Sequence, residues 1–109
     1  MSIQMNIERQ PVIQRGNLTI DPQCCTVLLA GEEISLYPKE FDVLCLLTQY
    51  SGWVLSSEQI YEAVWHEKAN GYFHAVENTI FQIRKKIKKY SSDKNYIKTV
   101  VGYGYKFEV

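Results

Sequence analysis

The chain has 109 residues and is formally neutral at pH 7, with 46% hydrophobic and 22% charged side chains, an ordinary mix for one soluble domain with a modest core. Its apolar runs are far too short to span a bilayer, and residues 1–10 lack a signal-peptide stretch, so a cytoplasmic location without membrane contact is expected. Cys24, Cys25 and Cys45 are an odd count without metal-ligand spacing, and neighbours on a strand face opposite ways. Buried or half-buried reduced thiols are therefore expected, with no disulfide, metal or cofactor.

Residues 1–11 are polar and aperiodic, a flexible lead or linker remnant, and residues 12–109 form the domain. Short strands are predicted at 12–15, 18–20, 25–29 and 33–36, broken by Gly16-Asn17, Asp21-Pro22 and Ala30-Gly31, a meander of three or four strands. Pro38 opens a helix to about Tyr50, with Phe41, Val43, Leu44 and Leu47 turned inward, and Ser51-Gly52 stops it. Residues 53–55 are extended, and Ser56 or Ser57 caps a second helix with Ile60, Val64 and Trp65 on its inner side. A loop covers residues 66–73, with Asn70-Gly71 inside it. The third helix runs from about His74 to Tyr90, because Val76, Ile80, Ile83 and Ile87 recur at helical spacing. A polar turn at 91–95 then leads to a hairpin of residues 96–101 and 105–109 around Gly102-Tyr103-Gly104. The fold class is α+β, a winged helix-turn-helix with an N-terminal antiparallel sheet, three helices and a C-terminal hairpin wing.

Charge is divided along this order. From Arg84 to Val109 eight basic residues stand against two acids, a local net of +6; the first 83 residues carry four basic residues and ten acids, a net of −6. A basic helix and hairpin on an acidic body fits a nucleic-acid reader, the bland alternative being a solvated helix face. The third helix is narrow enough for the major groove, and its outer face carries Asn78, Gln82, Lys85 and Lys89, flanked by Phe81, Thr79 and Lys86. Asn78 and Gln82, one turn apart, suit adenine edges, while Lys85, Lys86 and Lys89 suit phosphates. Phe81 either packs against the hairpin or offers a contact for thymine methyls.

The segments ISLYPKEFDVLCLL, VLSSEQIYEAVW, VENTIFQIRKKI and IKTVVGYGYKF resemble the successive signatures of the OmpR/PhoB-type winged-helix effector domain of bacterial two-component response regulators, over about residues 12–109. The resemblance implies double-stranded DNA as partner, bound at direct repeats by a head-to-tail pair, for control of transcription. It places base reading on Asn78, Phe81 and Gln82. It places backbone contacts on Trp65, His74, Thr79, Arg84 and Thr99, to which Lys85, Lys86, Lys89, Tyr103 and Lys106 are added from their charge or hairpin position. The loop residues His66, Glu67, Lys68, Asn70 and Tyr72 match a segment that touches RNA polymerase. Phe81 and Gln82 stand where arginines are common in the family, Val101 where a wing arginine often enters the minor groove, and Ser57 at another frequent arginine. These departures imply a weaker electrostatic term and a more A·T-directed specificity. A receiver domain is also missing from the sequence, which fits an excised effector domain and a stand-alone regulator equally.

Other classes fare worse. His66 and His74 have no acid or cysteine at ligand or catalytic spacing, Glu32-Glu33 sits at a turn, and Gly102-Tyr103-Gly104 precedes a strand and not a helix. The chain is therefore not expected to be an enzyme or to take a small-molecule substrate. The rival is a winged-helix protein-interaction module that has lost DNA binding, with Tyr72, Phe73, Phe81, Tyr103 and Tyr105 as an aromatic patch. The clustered positive charge favours DNA.

Overall fold

Alternating apolar residues build the first layer. The computed structural model describes residues 11–71, 73–91 and 95–109. Within it, β1 (Ile13–Arg15), β2 (Leu18–Asp21), β3 (Thr26–Leu29) and β4 (Glu32–Ile34) form an antiparallel sheet in chain order. The register sets Ile13 opposite Ile20, Ile20 opposite Val27 and Val27 opposite Ile34, one buried row across all four strands. A slip of one residue would turn that row to solvent, so burial fixes the register. Ala30 and Gly31 both take positive φ, the backbone that a two-residue hairpin turn needs.

The turn between β2 and β3 departs from the sequence expectation. The Asp21 carboxylate accepts the backbone N–H groups of Gln23 (3.0 Å) and Cys24 (3.3 Å), and Cys25 adopts a φ of 52°. This local hydrogen bonding delays β3 to Thr26 and leaves Cys24 and Cys25 exposed in the turn, not alternating on a strand; Cys45 is half-buried as expected. The hydrogen bond to Asp21 pushes the Cys24 thiol pKa up, and burial raises that of Cys45. The expected flexible lead at residues 1–10 lies outside the described residues, as do positions 92–94 of the polar turn.

Helix α1 (Pro38–Gln49) starts at proline, and the Glu40 carboxylate accepts the Tyr37 backbone N–H (2.9 Å). Phe41, Val43, Leu44 and Leu47 are buried, and the buried Thr48 hydroxyl donates to the Leu44 carbonyl (2.9 Å). Ser56 is the cap of α2 (Ser57–Trp65): its hydroxyl accepts from Gln59 N (3.0 Å), and the Gln59 side chain accepts from Ser56 N (2.8 Å). Ile60 and Val64 are buried, whereas Trp65 is only half-buried and stacks on Tyr61, ring centroids 5.1 Å apart. Helix α3 (His74–Tyr90) buries Val76, Ile80, Ile83 and Ile87 as its spacing predicts.

The wing strands differ from expectation: β5 (Ile97–Val100) loses a residue at each end, while β6 (Gly104–Phe107) starts one residue earlier and stops two short, because Val101 enters the turn and pairing stops at Ile97 opposite Phe107. Leu55 pairs with Tyr105 on the other edge of the wing and extends it by one short bridge. Gly104 makes this close approach possible. A Cβ there would lie 2.1 Å from the Leu55 carbonyl oxygen, and its φ is 145°.

One polar contact ties the helices together. Glu40, buried on α1, accepts the Lys86 ammonium of α3 at 2.6 Å, and that ammonium also lies 4.3 Å from the centre of the Tyr37 ring. Removing the lysine would leave the nearly buried carboxylate with the Tyr37 N–H bond but without its balancing charge.

Two outcomes are expected in thermal and chemical denaturation. Gly104→Ala forces β6 off Leu55 and lowers stability by roughly 2–3 kcal/mol. Lys86→Ala costs about 1–3 kcal/mol, whereas Lys86→Met combined with Glu40→Gln recovers most of the loss. A Lys86→Ala loss no greater than that of Lys88→Ala would show the buried pair to be inert.

Candidate nucleic-acid interface

The rotation of α3 follows from its core stripe. At about 100° per residue, Val76, Ile80, Ile83 and Ile87 fall within one narrow sector facing the interior. The sector diametrically opposite holds Phe81, Lys85, Asn78, Lys89 and Gln82 in that order around the axis, spread over about 100°. All five are exposed. Along the axis, Asn78, Phe81 and Gln82 occupy the N-terminal half, and the two lysines follow toward the C-terminus. Phe81 is 61% exposed and has no ring partner among the described residues, so most of its ring surface is open for contact.

The flanks of this sector are anchored differently. Toward the wing, Arg84 donates through Nε (3.1 Å) and Nη2 (2.9 Å) to the Ile97 carbonyl, and through Nη2 to the Thr99 hydroxyl (2.8 Å). Its guanidinium lies 5.7 Å from the Tyr105 ring centre, and burial pulls its pKa down while Tyr105 acts the other way. Arg84 is thus a brace between α3 and the wing. Thr99 accepts from it, so the threonine proton stays directed to solvent. Toward α1, Lys86 is drawn to Glu40, and the half-buried Thr79 hydroxyl donates to the Ala75 carbonyl at 2.7 Å.

On the wing, strand alternation puts Lys98 and Lys106 on the face opposite Arg84, directly across from each other. Like charges so placed repel. Glu108 relieves this, its two carboxylate oxygens accepting Lys98 (3.1 Å) and Lys106 (2.9 Å); both lysines hold its pKa below the usual carboxylate range. The wing tip is uncharged, with Val101 88% and Tyr103 75% exposed. Between the tip and the N-terminus of α2 lies an open cleft of about 350 Å³, lined by Ser56, Ser57, Glu58, Thr99, Tyr103 and Tyr105.

The remaining sequence-predicted positions are scattered around this surface. His74 is exposed at the start of α3, 3.8 Å from the Glu77 carboxylate. The Trp65 ring edge is half exposed, with the Lys39 ammonium 5.7 Å from the ring centre and donating to the Val64 carbonyl at 3.1 Å. His66, Glu67, Lys68 and Asn70 are exposed around the buried Ala69, whose N–H reaches the Glu62 carboxylate at 3.4 Å. The Glu67 carboxylate accepts the Tyr61 hydroxyl at 3.0 Å. Tyr72 lies outside the described residues.

Sequence reasoning missed three functional side chains: Glu40, Glu108 and the bracing half of Arg84. Glu108 carried a signal, since a two-residue period puts it on one strand face with Lys106. Glu40 and Arg84 carried none, because their partners are 46 and 13 residues away.

With this geometry in place, the likeness to known proteins is informative. Residues 31–107 match the family described as transcriptional regulatory protein, C terminal. The transcriptional regulatory protein SrrA of Staphylococcus aureus is 36% identical over 99 residues, 90% of this chain and 41% of SrrA, so the chain spans less than half of that relative. The DNA-binding domain of RstA from Klebsiella pneumoniae, solved in complex with the RstA box, superposes with a TM-score of 0.80 at 31% identity, covering 90% of this chain and 97% of that one. The Thermotoga maritima response regulator DrrB, an OmpR/PhoB homologue, superposes with a TM-score of 0.77 at 35% identity, covering 90% of this chain and 44% of DrrB. The chain belongs to the transcriptional regulatory protein C-terminal family, the winged-helix effector domains of OmpR/PhoB type.

Proposed function

We propose that this domain binds double-stranded DNA sequence-specifically to regulate transcription, with α3 in the major groove and the wing against the backbone. One observation carries the proposal: the face of α3 turned away from the core presents two exposed amides, Asn78 and Gln82, followed along the axis by two exposed lysines. The RstA domain's complex with its box supports the same use of this fold.

Roles divide by chemistry. Asn78 and Gln82 pair with adenine edges, and Phe81 completes the base-facing set. Lys85 and Lys89 meet phosphates where α3 leaves the groove. Thr99, Tyr103 and the α2 N-terminus at Ser56 and Ser57 line the cleft as a second phosphate seat, with Arg84 behind Thr99. Trp65 and His74 supply the remaining backbone contacts, and Thr79 joins them by turning its hydroxyl from the Ala75 carbonyl to a phosphate. Lys86 and Lys106, already matched by Glu40 and Glu108, contribute little to phosphate binding. Two copies occupy a direct repeat head to tail, and the exposed His66, Glu67, Lys68 and Asn70 form the edge turned toward RNA polymerase.

Salt titration separates these roles, since each phosphate contact adds about 0.9 to the slope of log affinity against log salt. Lys85→Ala and Lys89→Ala each lower the slope by about one, while Lys106→Ala leaves it unchanged. Gln82→Ala lowers affinity for the preferred site about tenfold or more and hardly affects scrambled DNA. Equal loss on both DNAs would overturn the base-reading role. Binding that ignores salt would favour an apolar protein-interaction surface centred on Phe81.

A further inference from the structure

We infer that Phe81 makes this domain a reader of pyrimidine C5-methyl groups in the major groove, an inference that rests on the DNA-binding proposal and names the ligand chemistry of its central contact. The ring stands 61% exposed on the outward sector of α3, with no ring partner among the described residues and outside the hydrophobic core cluster. Helical spacing puts it about 60° around the axis from Asn78 and one residue from Gln82, in the N-terminal half that meets base edges. It lies on the wing-side flank of that sector, on the same side as Arg84, whose guanidinium is engaged by Ile97 and Thr99.

An aromatic ring in that position has few complementary groups. Base edges in the major groove offer acceptors, amino donors and a single kind of apolar group, the methyl at C5 of a pyrimidine. A phenyl ring can accept no hydrogen bond of useful strength and donates none, so contact with a bare cytosine edge or a guanine edge removes water from polar atoms without replacing it. Contact with a methyl buries apolar surface on both partners. The neighbouring amides act in concert: where Asn78 or Gln82 selects adenine, the paired thymine presents its methyl on the opposite strand of the same groove. Phosphate attraction is left to the lysines further along α3, so affinity at the centre of the site depends on shape and methylation state and not on charge. The same methyl is carried by thymine and by 5-methylcytosine.

The test uses the full chain and the duplex it enriches from random-sequence DNA. Each thymine is replaced in turn by uracil, which deletes the methyl and nothing else. A loss of about fourfold at one or two positions is expected, the effect of exposing one methyl group. At those positions a C·G pair is then compared with a 5-methylcytosine·G pair. Failure of the methyl to improve binding there assigns thymine as the source, and binding equal to T·A or better assigns 5-methylcytosine; both support methyl reading. Phe81→Ala should bind the thymine and uracil duplexes equally, and Phe81→Leu should restore part of the difference. A site that remains sequence-selective while its uracil scan is flat overturns the inference and leaves the DNA-binding proposal standing. So does an uracil penalty that persists in Phe81→Ala. Failure to enrich any duplex overturns both together.

Discussion

Everything at the DNA-facing surface depends on how α3 is rotated, and four β-branched side chains set that rotation. Val76, Ile80, Ile83 and Ile87 are all fully or nearly fully buried on a helix that packs against α1, α2 and β4. Such residues are mediocre helix formers, so this helix owes its stability to packing and not to propensity. Each contributes about 2 kcal/mol of burial, and turning the helix by one position, about 100°, would carry all four out of the core sector. The outward presentation of Asn78, Phe81 and Gln82 is therefore a consequence of the core. Glu77 in the first turn and Lys88 and Lys89 in the last also suit the helix dipole, so electrostatics and packing favour the same helix.

The charge asymmetry visible in the sequence overstates the field that reaches DNA. Lys86 lies on Glu40, and Lys98 and Lys106 share Glu108. Each of these pairs serves the fold: the first docks α3 onto α1, the second lets two lysines face each other across a hairpin. What remains directed outward on α3 is Lys85, Lys88 and Lys89, while Arg84 is half occupied as a strut to the wing. A composition count treats all of these cations alike. Only the tertiary structure separates those that hold the domain together from those free to meet phosphate.

The regular elements were legible in the sequence because each rests on a periodic pattern with local punctuation. Proline opens α1, a serine–glutamine capping box opens α2, and an uninterrupted aliphatic stripe defines α3. The failures fall where a single side chain reorganised the backbone, as Asp21 does in the turn that holds Cys24 and Cys25. The wing strands are shorter than their alternation, which continues through Val101 and Val109, whereas pairing runs only from Val100 opposite Gly104 to Ile97 opposite Phe107. At the site, exposure of Phe81, Gln82 and Asn78 followed from helical geometry alone. The occupations of Lys86, Arg84 and Lys106 did not, since each depends on a partner brought close by the fold.

A surface with an uncharged centre and cations at one end has a definite energetic character. Phosphate contacts strengthen binding to every sequence alike, so each cation raises the competition from unrelated DNA as much as it raises affinity for the preferred site. Amide and aromatic contacts add free energy only where the base edges match. Drawing lysines into ion pairs while leaving Asn78, Phe81 and Gln82 bare lowers the first term and keeps the second. On the proposed reading such a domain is expected to discriminate well and to bind weakly on its own. Weak single-site binding is tolerable where two copies lie side by side, because the second then binds at the high effective concentration set by the first. The arrangement of charge in this fold and the use of repeated sites in its proposed function are in this sense one design.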